Sequence, residues 1–207
     1  MLGGIVSKNT QFRGFSLIEL MVTLAVLAIV LAAALPSFNE FRQRNALRGA
    51  SDQITSFWSN ARFEALKRNS LVKVSMTTSG TSYCLGADIA TTSTDNSNCN
   101  CLQADSTQAD FCSIGRYPAS QAEWSRVRFL TDPTTTIGTS TNGVVVIDPK
   151  RAALASPGQV GYWELAAPTG GPDYRLRVNV DRFGRAVTCE PSAAGGKIPQ
   201  YTNKRCN

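Results

Sequence analysis

Apolar residues crowd into one stretch near the N-terminus and are interspersed with polar ones everywhere else. Residues 15–38 read FSLIELMVTLAVLAIVLAAALPSF, and from Leu20 to Leu35 only Thr23 interrupts the apolar character. Phe15–Leu35 is 21 residues, about 31 Å as a helix at about 1.5 Å per residue, which matches a hydrocarbon core about 30 Å thick. Residues 1–14, MLGGIVSKNTQFRG, are polar and basic with no helical period. After Pro36 the pattern becomes amphipathic. Leu47, Ala50, Ile54, Phe57, Trp58, Ala61, Ala65 and Leu66 recur at three- and four-residue steps, with Arg42, Arg44, Arg48, Asp52, Arg62, Glu64, Lys67 and Arg68 mostly between them. That spacing predicts a helix with one apolar stripe, continuing to about Asn69 and packing on the C-terminal part of the chain. Pro36 removes a backbone hydrogen bond and is expected to bend it. Phe57 and Trp58 read as core rather than as a cofactor box.

Beyond residue 70 the period shortens to two. Segments 71–77, 81–85, 123–130, 143–148, 160–166, 174–180 and 185–189 alternate apolar and polar residues between Gly, Pro, Asn and Ser turns. They predict an antiparallel β-rich head. One long helix followed by strands gives the α+β class: a transmembrane half and an amphipathic half, packed on an antiparallel β-sheet head. Residues 87–122, rich in Thr, Ser, Asn and Asp, read as a long surface loop.

Charge and chemistry narrow the picture. The formal net charge is +6 and there is no histidine. Ser-His-Asp triads, Cys-His dyads and HExxH zinc sites are therefore excluded. The remaining carboxylates, serines and threonines fall in no catalytic motif, so no enzymatic activity and no cofactor is expected. All six cysteines, Cys84, Cys99, Cys101, Cys112, Cys189 and Cys206, follow the apolar run. An even count on one side of a membrane segment points to disulfides in an oxidising compartment. The rival is a zinc site, but Cys99-x-Cys101 lacks the usual two-residue gap. Cys99 and Cys101 are too close to pair easily, so each is expected to reach Cys84 or Cys112, and the sequence does not choose. Cys189 and Cys206 would then close a C-terminal loop holding Lys197, Lys204 and Arg205.

The apolar run has three readings: a membrane anchor, a cleaved secretory signal ending at Ala32-Ala33-Ala34, or a buried core helix. Glu19 argues against the last two. A carboxylate inside an apolar span is costly and points to function, with a snorkelling boundary residue as the plain alternative. Lys8 and Arg13 ahead of the span predict a cytoplasmic N-terminus and an outward-facing head.

Arg13-Gly14-Phe15-Ser16-Leu17-Ile18-Glu19-Leu20 resembles the class III signal of type IV pilins and type II secretion pseudopilins. The resemblance implies a prepilin leader at 1–14, a transmembrane and filament-core helix at 15–36, its amphipathic half at 37–70 and a periplasmic head at 71–207. It implies cleavage after Gly14 by a prepilin peptidase, N-methylation of Phe15, and a role for Glu19 in assembly with other pilins or pseudopilins in the inner membrane. Asn142–Pro149, Leu176-Arg177-Val178 and Phe183–Cys189 resemble the GspH/FimT-type minor pilins and pseudopilins. That implies a non-enzymatic minor subunit that helps start filaments and sits near the tip. Some FimT-type relatives bind DNA through Gly-Arg-x-Arg. Here Gly184-Arg185 matches, but Val187 replaces the second arginine. Arg182, Arg185, Lys197, Lys204 and Arg205 are the candidate phosphate contacts, with Asp181 and Glu190 opposing them.

Overall fold

A computed structural model describes residues 14–79, 82–118, 127–130, 144–156, 161–168 and 173–206, the side chains of 33–36, 78–79 and 82 excepted. The segments Gly80–Thr81 and 119–126, and with them the first half of the strand expected at 123–130, lie outside the described residues, as do Lys8 and Arg13. The chain divides into two compact units, residues 1–39 and 40–207. One helix, α1 (Leu17–Arg68), contributes to both.

In the first unit, α1 starts where the sequence supplies a cap. The Ser16 hydroxyl accepts the Glu19 backbone N–H at 3.2 Å, satisfying one of the donors left over at a helix start. Glu19 occupies the first turn, where a carboxylate favours the positive end of the helix dipole. The Thr23 hydroxyl donates back to the Leu20 carbonyl at 2.8 Å, so the one polar interruption is satisfied within the helix. The side chains of Leu17 to Ala32 are all exposed.

In the second unit the stripe on α1 is buried. Leu47, Ile54, Trp58, Ala61 and Ala65 join one core with strand residues from both sheets. The helix stops at Asn69, whose φ of 47° turns the chain into the left-handed region. The Ser70 N–H then bonds the Ala65 carbonyl and the Asn69 N–H the Leu66 carbonyl, each at 3.2 Å. This closing pattern satisfies carbonyls that would otherwise be stranded, and Asn tolerates the conformation better than most residues.

Among the described residues the helix is succeeded by nine strands: β1 (Val72–Ser79), β2 (Ser82–Ile89), β3 (Gly115–Tyr117), β4 (Arg128–Phe129), β5 (Val145–Asp148), β6 (Ala153–Leu154), β7 (Gly161–Ala166), β8 (Arg175–Val180) and β9 (Ala186–Cys189). They form two antiparallel sheets, ordered β3-β2-β1-β5-β6 and β4-β7-β8-β9. Leu176, Val178 and Val180 alternate inward from β8, and Trp163 and Leu165 face the same core from β7. Tyr83 of β2 ties the sheets together: its hydroxyl donates to the Val127 carbonyl at 2.9 Å and its ring lies 4.1 Å from that of Phe129.

The expected antiparallel β-rich head is present, as two sheets whose short strands divide around a core that also takes in α1. Two expectations are corrected. The loop expected at 87–122 is shorter, since β2 runs to Ile89 and β3 begins at Gly115. Residues 87–89 extend β2 because they pair with Val72–Val74 of β1. Leu66 is not part of the stripe. It is exposed, as is Phe63, because each residue turns an α-helix by about 100°, which carries Leu66 away from the line of Leu47, Ile54, Trp58, Ala61 and Ala65.

Candidate functional site

Three places carry the candidate chemistry. The first is the N-terminal end of α1. Gly14, Phe15 and Ser16 precede the helix. A side chain at Gly14 would meet nothing within 4 Å, and Phe15 is 83% exposed. The Gly14-Phe15 peptide is thus non-helical and accessible, just ahead of the first hydrogen-bonded turn. Ser16 and Glu19 form an S-x-x-E signature, the sequence mark of a helix start. That signal was readable in the sequence and adds a local role for Glu19 beside its placement in the apolar span. The span itself is long and apolar enough to cross a membrane, and none of it is buried within the chain.

The second place is the cysteine-bearing loop between β2 and β3. Cys84 pairs with Cys101, and Cys99 with Cys112. The two bridges interleave along the chain, with Cys99 lying inside the loop that Cys84–Cys101 closes. They rest on the outer face of the β1–β2 pair, where alternate residues point away from the core. Gly86 lies beneath them: a Cβ there would run into Cys112 Sγ and lie 2.7 Å from Cys99 Sγ. On β1, the Ser75 hydroxyl accepts the Cys99 N–H at 3.3 Å and the Thr77 hydroxyl donates to the Cys99 carbonyl at 3.2 Å.

Beside them Lys73 is buried and faces Asp95 at 3.4 Å, while its ammonium donates to the Ser97 hydroxyl at 2.6 Å. Burial alone would raise the Asp95 pKa. Hydrogen bonds from the Ser97 hydroxyl and the Thr91 and Ser97 N–H groups, with the Lys73 charge, outweigh it and hold the carboxyl well below its ordinary value. All six cysteines are in disulfides, which removes the zinc reading of Cys99-x-Cys101.

The third place is the C-terminal basic region, which divides in two. Arg182 and Arg185 flank the β8–β9 turn, each guanidinium 5.7 Å from the centre of the exposed Phe183 ring. Asp181 ties that turn: it bonds the Phe183 and Arg185 N–H groups, both at 2.9 Å, and pairs with the Arg185 side chain at 2.8 Å. Gly184, at φ 69°, lets the backbone pass within reach of α1. Trp58 Nε1 donates to its carbonyl at 2.9 Å, and a Cβ on Gly184 would sit 3.0 Å from the Ala152 carbonyl.

Lys197, Lys204 and Arg205 lie past the far end of β9, in the loop closed by Cys189–Cys206. All three are exposed. The four residues of β9 separate the two basic groups by about 13 Å. Glu190, expected to oppose the positive charge, is buried and accepts the Ile198 N–H at 3.0 Å, so it organises the loop from inside. Gly196 is needed where the Tyr174 ring covers it, since a Cβ there would lie 2.6 Å from the ring. The Tyr174 hydroxyl donates to Glu40 on α1 at 3.1 Å.

Residues 9–35 match the family model of the prokaryotic N-terminal methylation motif. No curated protein and no solved structure matches the chain. The motif implies processing by a prepilin peptidase and assembly with other pilins, a structural rather than a catalytic line of work. The motif at residues 9–35 takes in the start of the long apolar helix, antiparallel sheets pack on the same helix farther along, and the chain is consistent with a type IV prepilin-like protein.

Proposed function

We propose that the chain is a minor subunit of a type IV pilus, which helps to start filament assembly at the inner membrane and sits in or near the tip. The observation that carries this reading is the pairing of an accessible Gly14-Phe15 peptide with a wholly exposed apolar helix that holds Glu19 in its first turn. Cleavage after Gly14 frees an amine on Phe15, which is then methylated. Glu19 of one subunit neutralises that amine on its neighbour, which removes most of the cost of a buried charge and sets the axial register. Before assembly the helix is stored in the inner membrane, with the N-terminus cytoplasmic and the head periplasmic, as Lys8 and Arg13 favour. The crossed disulfides support a pilus subunit over a type II secretion pseudopilin, because they brace a head that ends up exposed.

Glu19→Val is expected to leave cleavage at Gly14 intact and to remove the subunit from sheared pili. Normal incorporation of the variant refutes the role of Glu19. Deleting the gene and scoring surface pili with twitching, DNA uptake and exoprotein secretion in parallel separates the pilus reading from the pseudopilin one. Loss of secretion alone assigns the chain to a type II secretion pseudopilus.

One observation favours DNA binding as a second reading: the exposed Phe183 ring has two guanidiniums within 5.7 Å of its centre, an arrangement suited to a base and its phosphates. A gel-shift series at rising salt decides it. Absence of binding at low salt rules it out.

A further inference from the structure

The basic C-terminal loop sits beside the stretch of α1 that follows the apolar span, and Tyr174 joins the two. Its backbone bridges to Gly196 of the loop, and the Gly195 and Gly196 N–H groups bond the Asp173 carbonyl at 3.0 and 3.1 Å. On the other side, the Tyr174 hydroxyl donates to Glu40 at 3.1 Å, and the Arg44 guanidinium lies 5.6 Å from the centre of its ring. Within the loop Ile198 is buried and gives its N–H to Glu190, so the loop is fixed to the head. Leu35 ends the apolar span, and Glu40 follows five residues later. That length of chain reaches at most about 18 Å even when fully extended. It keeps Glu40 near the surface of any bilayer the span crosses.

Residues 40–52 carry Arg42, Arg44 and Arg48 against Glu40 and Asp52, and residues 190–206 carry Lys197, Lys204 and Arg205 against Glu190. Basic groups thus outnumber acids by six to three. Two of the acids are taken up by internal bonds, Glu40 by the Tyr174 hydroxyl and Glu190 by the Ile198 N–H. Asp173, close by, pairs with Arg175. Arg42, Lys197, Lys204 and Arg205 are exposed, and Arg44 and Arg48 are half-buried. Phe41, next to Arg42, is 56% exposed, and Lys204 Nζ lies 5.9 Å from the centre of the Tyr201 ring. Cations interleaved with aromatic rings next to an apolar span suit a layer of anionic headgroups over acyl chains.

We propose that residues 41–48 of α1 and the C-terminal loop together bind the anionic phospholipid headgroups of the membrane that the span crosses. The arginines and lysines take the lipid phosphates, and Phe41 enters the boundary between headgroups and acyl chains. Through Tyr174, two segments far apart in sequence act as one surface. Bound headgroups hold the head against the bilayer while the subunit is stored there, and they are given up when it leaves. Arg182 and Arg185, about 13 Å away at the other end of β9, stay outside this surface. The assignment goes beyond the minor-subunit reading and rests on residues 15–35 being a membrane span.

The test reconstitutes the full chain in phosphatidylcholine vesicles with a trace of spin-labelled phosphatidylglycerol or spin-labelled phosphatidylcholine. A K8Q/R13Q background removes the basic residues ahead of the span. Electron paramagnetic resonance then reads how much of each lipid the protein holds at its boundary. The anionic lipid is expected to associate at least about threefold more strongly than the neutral one, with the preference fading at high salt. K204E/R205E and R42Q/R48Q are each expected to lower the preference by about half or more. K150E/R151E makes the same charge change as K204E/R205E but on the β5–β6 turn, whose Ala152 carbonyl accepts a bond from Arg62. Arg62 lies about 33 Å along α1 from Glu40, so this variant is expected to keep the full preference. Equal association of the two lipids overturns the proposal and leaves the span reading standing, whereas a chain that restricts neither lipid overturns both. Loss of preference in K150E/R151E as large as in K204E/R205E assigns it to net charge alone and overturns the proposal. So does a preference that survives either two-site variant of the surface. If K204E/R205E then also loses DNA in the gel shift, the loop is a nucleic-acid contact instead.

Discussion

Residues 17–32 and 40–68 belong to one helix, yet their apolar side chains have opposite fates. In the first stretch every residue is exposed, from Leu17 to Ala32. In the second, Leu47, Ile54 and Trp58 are at most 1% exposed, covered by strands from both sheets. Helix propensity does not distinguish them. What differs is the arrangement of apolar positions. All-round apolar character cannot be satisfied by a core on one side, so the first stretch needs lipid or neighbouring subunits. A stripe can be satisfied on one side, and the second stretch is satisfied by the chain's own head.

The sharpest way to break the contrast is to remove a large side chain from each stretch. Trp58→Ala deletes a ring packed 5.8 Å from Trp163 and the hydrogen bond to the Gly184 carbonyl. It is expected to cost the head about 3–5 kcal/mol in chemical denaturation. Leu24→Ala, in the exposed stretch, is expected to leave that unfolding midpoint unmoved. A large shift from Leu24→Ala would mean that the apolar stretch also stabilises the head.

The next largest effect falls on the disulfides. Replacing Cys84 and Cys101 together by Ser opens a bridge with a sequence separation of 17, and is expected to cost about 3 kcal/mol. Because the two bridges interleave, loss of both is expected to cost less than the sum of the separate losses. Strict additivity in a double cycle would contradict that coupling. Gly86→Ala tests the same region from below. Its new methyl collides with Cys112 Sγ, with an expected cost of about 1–3 kcal/mol.

How much of this was legible in the sequence depended on the range of the forces involved. The start, the stripe and the end of α1 follow from local periodicity and from Ser16, Glu19 and Asn69, all within a few residues of what they control. The longer strands follow from alternation. β6, two residues long, is too short to show a period. The pairing of Cys84 with Cys101 was open because it depends on how the loop lies across β1, through Ser75 and Thr77, which no spacing records. The contact of Trp58 with Gly184 joins residues 126 apart. At the basic site, the residues were visible but their division was not, since it depends on β9 lying between them.

The remaining two effects are smaller. Asp95 has its pKa lowered from an ordinary value of 3.8. The unfolded chain therefore takes up the proton first as pH falls. The stabilisation is full above pH 3.8 and is lost as pH drops below that value toward the folded-state pKa. Asp95→Asn is expected to flatten the acid limb of the stability profile, and an unchanged limb would contradict the assignment. Leu66→Ser, on the exposed side of α1, is expected to shift head stability by no more than about 0.5 kcal/mol. A larger loss would place Leu66 in the core after all.

The bond from Trp58 to Gly184 also bears on the order in which the protein is made. A ribosome delivers α1 long before β8 and β9, so the stripe of Leu47, Ile54 and Trp58 emerges with no strand to cover it. Strand β8, which carries Leu176, Val178 and Val180, is delivered only much later. Until then the growing chain presents a bare apolar face next to an apolar anchor, the state most prone to wrong association. Completion of the head is thereby tied to the delivery of β8 and β9. A chain that stops short of the β8–β9 turn leaves Trp58 without its partner and exposes it as unfinished.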